Sequence, residues 1–153
     1  LSYDWNPPAA DVEELRQWFN TWWPLVDVVD FVPARDLFEG SVAAFGTRMD
    51  VVEGLENLEN NQWRGVWPTI EDFRFHTDTL KVGVSPDRLM AMGLCVWSST
   101  GFHEDGSRFD RPGRATVVFA RPDVSSPWKG IHTHISLNPG TPQRSFGDRP
   151  PKS

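Results

Sequence analysis

The chain has 153 residues, 39% of them hydrophobic and 24% charged, with a formal net charge of −6, the size and balance of one ordinary folded domain. The lone Cys95 excludes an internal disulfide framework, the acidic balance without basic runs argues against a nucleic-acid groove or an anionic-membrane patch, and no apolar run is long enough to span a bilayer. The outlying feature is 8 Trp and 10 Phe against 1 Tyr, which points to a deep pocket or a subunit interface, because large rings carry much of the burial in both.

The sequence begins at Leu1, and its first residues lack the basic and apolar regions of a secretory signal; a removed leader stays open, and the expected location is cytoplasmic. Residues 1–8 read as an irregular arm. From Ala9, the residues Val12, Leu15, Phe19, Trp22 and Val26 recur at spacings of three and four, one face of an amphipathic helix. Asp11, Glu13 and Glu14 favour its N-terminal dipole, and Pro24 predicts an end or kink just before it. A second helix is expected from about Val28 to Phe38, disturbed at Pro33 and closed by Gly40. Ser41 to Thr47 reads as a short buried strand, and Val52 to Trp63 as a short helix.

Four longer strands follow. Thr69 to Val84 alternates Phe73, Phe75, Thr77 and Thr79 with Asp72, Arg74, His76 and Asp78. After the turn Ser85-Pro86-Asp87, a strand covers Arg88 to Thr100, and His103 to Ser107 carries the Asp-Gly signal of a hairpin. Arg114 to Arg121 pairs back, Pro122 to Pro127 turns, and Trp128 to Leu137 is the last strand. The tail, residues 140–153, is proline-bearing and poor in apolar residues, so it is expected to be extended or disordered. Helices followed by meandering strands describe an α+β domain over residues 9–139: a curved, mostly antiparallel sheet wrapped around the N-terminal helices.

That order resembles the nuclear transport factor 2-like superfamily, also called SnoaL-like or ketosteroid-isomerase-like, with its cystatin-like cone. Three segments carry the resemblance: Val42-Ala-Ala-Phe45 with Val52-Glu-Gly54; the hairpin Asp105 to Thr116 leading into Val117 to Arg121; and the last strand, with Trp128-Lys129 and the pattern His132, His134, Ser136. Within the superfamily the chain is most similar to the association domain of type II calcium/calmodulin-dependent protein kinases and its stand-alone bacterial relatives. In that domain an arginine follows the threonine matching Thr116 and lines an anion-accepting pocket; Val117 stands here, so the resemblance does not carry that ligand over. The fold hosts isomerases, dehydratases, hydrolases and non-catalytic assembly modules, and does not by itself decide among them.

The spacing of two puts His132, His134 and Ser136 on one strand face. Two imidazoles there offer a general acid and base or two metal ligands, or else they satisfy hydrogen bonds on a sheet face or a subunit contact. No third ligand is legible, so neither a metal nor a cofactor is expected. Arg74, His76 and Asp78 form a second alternation: inside the cone Asp78 beside His76 is a candidate base, and outside it they belong to a solvated face. Arg114 is a candidate for orienting a carbonyl or anion. Trp18 and Trp22 on the first helix, with Trp63 and Trp67, are expected to wall the mouth of the cone as an apolar pocket; Trp97 and Trp128 are expected in the core or an interface, and Cys95 is expected to be a buried inert thiol.

Two readings result. One is a stand-alone protein binding a small apolar or aromatic molecule in the Trp-walled cone, with isomerisation, dehydration or hydrolysis through Asp78, His76, His132 and His134 as its chemistry. The other is a non-catalytic assembly module. Both imply a homodimer or larger homo-oligomer.

Overall fold

The computed structural model describes residue 3 and residues 5–152. Helix α1 spans Ala9–Asp27 and buries Leu15, Trp18, Phe19, Trp22 and Val26, the face marked by the spacing in the sequence. It runs through Pro24 instead of stopping there. An internal proline costs about 3 kcal/mol, but the turn beyond it buries Val26, which returns about 1.5–3 kcal/mol, and the Pro24 carbonyl accepts the Val28 amide at 3.1 Å. The chain then reverses through Val29 at φ 57°, where Asp30 N–H bonds the Leu25 carbonyl at 2.8 Å. A valine is strained in that left-handed region; its side chain is fully buried in the core.

Helix α2 covers only Phe31–Arg35. The expected helix up to Phe38 is displaced by strand β1, Phe38–Phe45, so Gly40 lies inside a strand. Phe38 decides this: its ring enters the core between Trp18, Trp22 and Trp63, with centroids at 5.3, 5.2 and 5.4 Å. The expected helix over Val52–Trp63 is also broken up. Strand β2 (Val52–Glu53) comes first, then α3 (Leu55–Leu58), a π-helical turn over Glu59–Trp63, α4 (Arg64–Val66) and a 3₁₀ turn over Trp67–Thr69. Within the wide turn Glu59, Gln62 and Trp63 are all buried, and Glu59 is held by Arg35 and Arg64.

The single strand expected over Thr69 to Val84 is two, β3 (Glu71–Phe75) and β4 (Lys81–Val84), separated by a 3₁₀ turn at Thr77–Thr79. Both lie along one edge of β5 (Met90–Phe102), β3 against Trp97–Thr100 and β4 against Ala91–Leu94. The short turn takes up the slack between them. Strands β6 (Arg108–Asp110), β7 (Gly113–Ala120) and β8 (Lys129–Leu137) complete the sheet. Its order is β2-β1-β8-β7-β5-β3, with β4 and β6 also on β5; only β1 and β8 pair in parallel. The fold is therefore α+β, a curved and mostly antiparallel sheet around α1.

Alternation assigns the two sheet faces. Ala91, Cys95 and Trp97 of β5, Ala115, Val117 and Phe119 of β7, and Thr133 of β8 are buried on the inside. Phe19 of α1 meets Phe75 and Phe119 edge-to-face at 5.0 and 6.0 Å, a preferred ring geometry. Residues 138–152 form no helix or strand. They run back across the open end of the cone: Phe146 N–H bonds the Phe102 carbonyl, Arg149 N–H the Pro68 carbonyl and Lys152 N–H the Val29 carbonyl, at 2.8, 2.7 and 3.0 Å.

Candidate functional site

Between α1, the π-helical turn and the inner sheet face lies a cavity of about 50 Å³. Trp22, Trp63, Trp67 and Trp97 form its walls, with Gln62 and Arg111 among the polar lining. Trp63 and Trp67 stack at 4.7 Å with a 21° interplanar angle, because the π-helical turn and the short helix after it put both rings on one side. Trp18 does not line the cavity. It is packed edge-on against Phe119 at 4.8 Å, and its indole N–H bonds the Leu37 carbonyl at 3.0 Å. Trp97, expected in the core or an interface, is a cavity wall; Trp128 is buried beneath the Arg121 guanidinium, 3.8 Å from its ring centroid.

The polar content of this cavity is unusual. Arg111 is 3% exposed, and among the described residues no carboxylate pairs with it. Its Nη2 donates to Thr47 Oγ1 at 3.1 Å, and the guanidinium lies 5.4 Å from the Trp97 ring centroid. Arg111 Nε, Gln62 Oε1, Trp22 Nε1 and Trp97 Nε1 are buried and have no hydrogen-bond partner among the described residues. Burial pulls the Arg111 pKa down to about 10, so it remains a cation at neutral pH. Backbone bonds hold it in place: Arg111 N–H donates to the Ser99 carbonyl at 2.9 Å, and Ser99 Oγ donates to the Arg111 carbonyl at 2.8 Å.

Arg111 also borders an outer cleft of about 470 Å³. The cavity and the cleft share Thr47, Val66 and Arg111, so the guanidinium stands at the neck between them. Arg48 and Arg144 line the cleft, residues 143–147 of the tail form one wall, and among the described residues no acidic side chain lines either space. Gln143 Nε2 donates to the Thr47 carbonyl, tying the tail to the neck.

The candidates named from sequence lie elsewhere. His132 and His134 are on the outer sheet face beside Phe45, with ring centroids at 5.9 and 5.1 Å, and His132 Nδ1 is 2.7 Å from the Ala43 carbonyl. His76 Nε2 lies 2.8 Å from Ser98 Oγ. Asp78 is exposed in the Thr77–Thr79 turn. Arg74 is exposed over the Trp23 ring at 5.4 Å, and Arg114 is exposed with Nη2 3.5 Å from the Leu137 carbonyl. None of these six lines the cavity. Cys95 is buried, and desolvation pushes its thiol up to about 11. Among the described residues no three His, Cys, Asp or Glu side chains converge as a metal site needs, and no helix is long and apolar enough to cross a membrane.

Arg111, Gln62, Thr47 and Arg144 are absent from the sequence-level candidates. Arg111 falls between two strands, so no alternation points it inward, and Gln62 faces inward only because a helical turn widens. The one signal available was the isolated Arg111-Pro112 at the foot of a hairpin.

No protein-family model matches the chain, and no curated protein matches its sequence significantly. Solved structures do. A nuclear transport factor 2-like superfamily protein from Salmonella enterica superposes with a TM-score of 0.72 at 18% identity, covering 89% of this chain and 96% of that one. A proposed dehydratase of the same family from Streptomyces avermitilis gives 0.70 at 19% identity, covering 88% and 100%. The calcium/calmodulin-dependent protein kinase II hub of S. rosetta gives 0.68 at 16% identity, covering 86% and 100%. These neighbours include both the superfamily and the association-domain branch that the sequence resembles. The chain has the nuclear transport factor 2-like, cystatin-like cone fold.

Proposed function

We propose that this protein binds a small, flat organic molecule in the cavity beneath α1 and the adjoining cleft. The observation that carries this reading is the set of buried polar atoms without hydrogen-bond partners among the described residues, carried by side chains that line a space walled by four indoles. A small-molecule site usually takes this form, a largely apolar wall with a few convergent polar groups. The similarity to a proposed dehydratase leaves catalysis within reach of the fold, but among the described residues the cavity lining holds no His, Asp or Glu. Without a group that exchanges protons near neutrality, binding is the reading favoured over general acid-base turnover.

The test is a titration followed by intrinsic tryptophan fluorescence, using a panel of small aromatic and aliphatic probes, with Val66→Phe to plug the neck. Saturable binding lost in Val66→Phe supports the proposal; no saturable binding by any probe removes it. Turnover of ketones, epoxides or hydroxy acids that disappears in Asp78→Asn or His134→Ala would instead restore catalysis at the outer residues.

A second reading concerns assembly. The outer sheet face carries Met90, Val96 and Phe45, exposed by 49, 43 and 41%, with Met92, Leu94 and Val118 between them. An apolar surface of this kind suits a symmetric dimer, and the similarity to a kinase hub supports it. Light scattering after size exclusion should give a dimer or larger species at micromolar concentration, and Leu94→Arg should give monomer. A monomeric wild type would end this reading.

A further inference from the structure

We infer that the C-terminal tail is a hinged strap that gates the cavity, opening as a local unit while the rest of the fold stays intact. The inference rests on the pocket reading for the space that the strap closes, and adds the element that controls entry to it. Its first support is position. Residues 143–147 wall the cleft, and the cleft meets the cavity at Thr47, Val66 and Arg111. Gln143 Nε2 donates to the Thr47 carbonyl, so the strap is tied to the rim of the neck itself. Its hinge is equally defined. Asn138 N–H is fixed to the Pro112 carbonyl at 3.0 Å just past β8, and two residues on Gly140 has a φ of 83° with nothing within 4 Å of its Cβ position. A glycine in open space turns at little steric cost.

The second support is the way the strap is held. Ser145 Oγ accepts from the Phe102 N–H at 2.9 Å and donates to the Thr69 carbonyl. Arg149 donates from its backbone to the Pro68 carbonyl at 2.7 Å, and from its guanidinium to the Trp67 and Asp27 carbonyls at 3.0 and 2.5 Å. These carbonyls close the 3₁₀ turn and α1, where a helix leaves acceptors unsatisfied and favours a cation. Water takes the same positions when the strap lifts. Apolar burial, which would fasten the strap into the core, is nearly absent: of residues 138–152 Ser145 alone is buried, and Phe146 is 39% exposed. A segment held by hydrogen bonds with little buried apolar surface lies at the low-stability end of a fold, because each bond exchanged with water contributes little net.

Two measurements on the full chain test this. In native-state hydrogen exchange the Phe146 and Arg149 amides should open without the amides of β5 and β7 and long before them. In a Cys95→Ala background, Thr133→Cys places a thiol on the cavity wall, and methyl methanethiosulfonate, small and uncharged, reports access to it. Labelling should be slow with the native tail. Ser145→Ala removes two of the strap's bonds. Gly147→Ala pushes the strap off without shortening it, because a Cβ there would lie 2.4 Å from the Thr69 carbonyl oxygen and 2.8 Å from its carbon. Each should speed labelling at least about tenfold, the change in open population expected when one or two neutral hydrogen bonds are lost, with the thermal midpoint nearly unchanged. If Thr133→Cys fails to fold, amide exchange in the wild type and in Gly147→Ala still decides.

Tail amides that exchange only with global unfolding overturn the strap, as does labelling at one rate in all three proteins. Neither readout uses a ligand, so the two readings fail separately. Saturable probe binding with labelling indifferent to Ser145→Ala and Gly147→Ala leaves the pocket reading standing without the strap. Gated labelling with no probe bound leaves the strap and removes the pocket reading.

Discussion

The Asp11 carboxylate meets the Arg121 guanidinium at 3.1 Å with both side chains out of solvent, 0% and 1% exposed, across 110 residues of sequence. Arg88 grips the same carboxylate from the other side through Nε and Nη2 at 2.8 and 2.9 Å. Arg121 in turn donates to the Arg88 carbonyl and lies over Trp128. The first turn of α1 is thereby locked to the turn before β5 and to the end of β7, which fixes how the helix sits across the sheet and so where Trp22 meets the cavity.

Asp11→Asn should therefore cost about 3–5 kcal/mol, because removing one member of a buried charge cluster leaves the other uncompensated. Chemical denaturation would measure it. The exposed side of Arg88 contributes less than Arg121, since solvent screens it, so Arg88→Gln should cost less than Arg121→Gln. The reverse order would place the anchor at Arg88.

The acid response follows from the same groups. Arg88 and Arg121 hold the Asp11 carboxyl below the ordinary carboxylate range, with the bond from Arg88 the largest cause, and Arg35 followed by Arg64 do the same for Glu59. A carboxyl whose folded pKa is depressed stabilises the fold fully above its unfolded value and loses that contribution as pH falls through the folded value. Thermal midpoints should be flat near neutrality and fall below the unfolded values of 4.5 for Glu59 and 3.8 for Asp11. Asp11→Asn should flatten the lower part of that decline; an unchanged slope would assign the acid sensitivity elsewhere.

Cys95 should be inert in the native protein. Its thiol is buried, donates to the His76 carbonyl at 3.4 Å, and is pushed up to about 11 by desolvation, so almost no thiolate exists at pH 8. A colorimetric disulfide reagent should react with it only after denaturation, and rapid labelling of the folded chain would contradict the burial.

Gly113 supports the Trp97 wall by leaving it room. A Cβ there would lie 2.1 Å from Trp97 Cζ2 and 2.3 Å from the Ser136 carbonyl oxygen, and the backbone oxygen has little freedom to yield. Gly113→Ala should destabilise by about 1–3 kcal/mol, as overpacking does, and weaken probe binding by moving the ring. Gly40, with nothing within 4 Å of its Cβ position, is the control: Gly40→Ala should leave binding unchanged. Both are read by thermal unfolding and the fluorescence titration.

Much of the fold was legible because it depends on local periodicity. The face of α1 carrying Leu15, Phe19 and Trp22, the alternation in β5, β7 and β8, and the hairpin at Asp105-Gly106 all follow from side-chain spacing and turn chemistry. Where such reasoning missed, a buried ring or side chain overrode a local signal: Val26 carried α1 past Pro24, and Phe38 drew Gly40 into a strand. Alternation also separated His132 and His134 from Thr133 correctly, but it does not say which face of a sheet is inside.

That last decision belongs to tertiary structure, and with it the site. Composition alone pointed to a large buried ring surface among 8 Trp, of which Trp5 stays exposed and Trp23 half-buried, and the resemblance supplied a cone for the rest. Only the assembled sheet put Trp97 against the cavity and Trp18 behind it, turned the paired histidines outward, and brought Gln62 from a widened helical turn to the same space as Arg111. The physical reason is that a pocket is made by elements distant in sequence: α1, the π-helical turn, β5, β8 and Arg111 before β7 line the cavity, and the tail walls the cleft outside it. No local pattern records what will face an arginine once they meet.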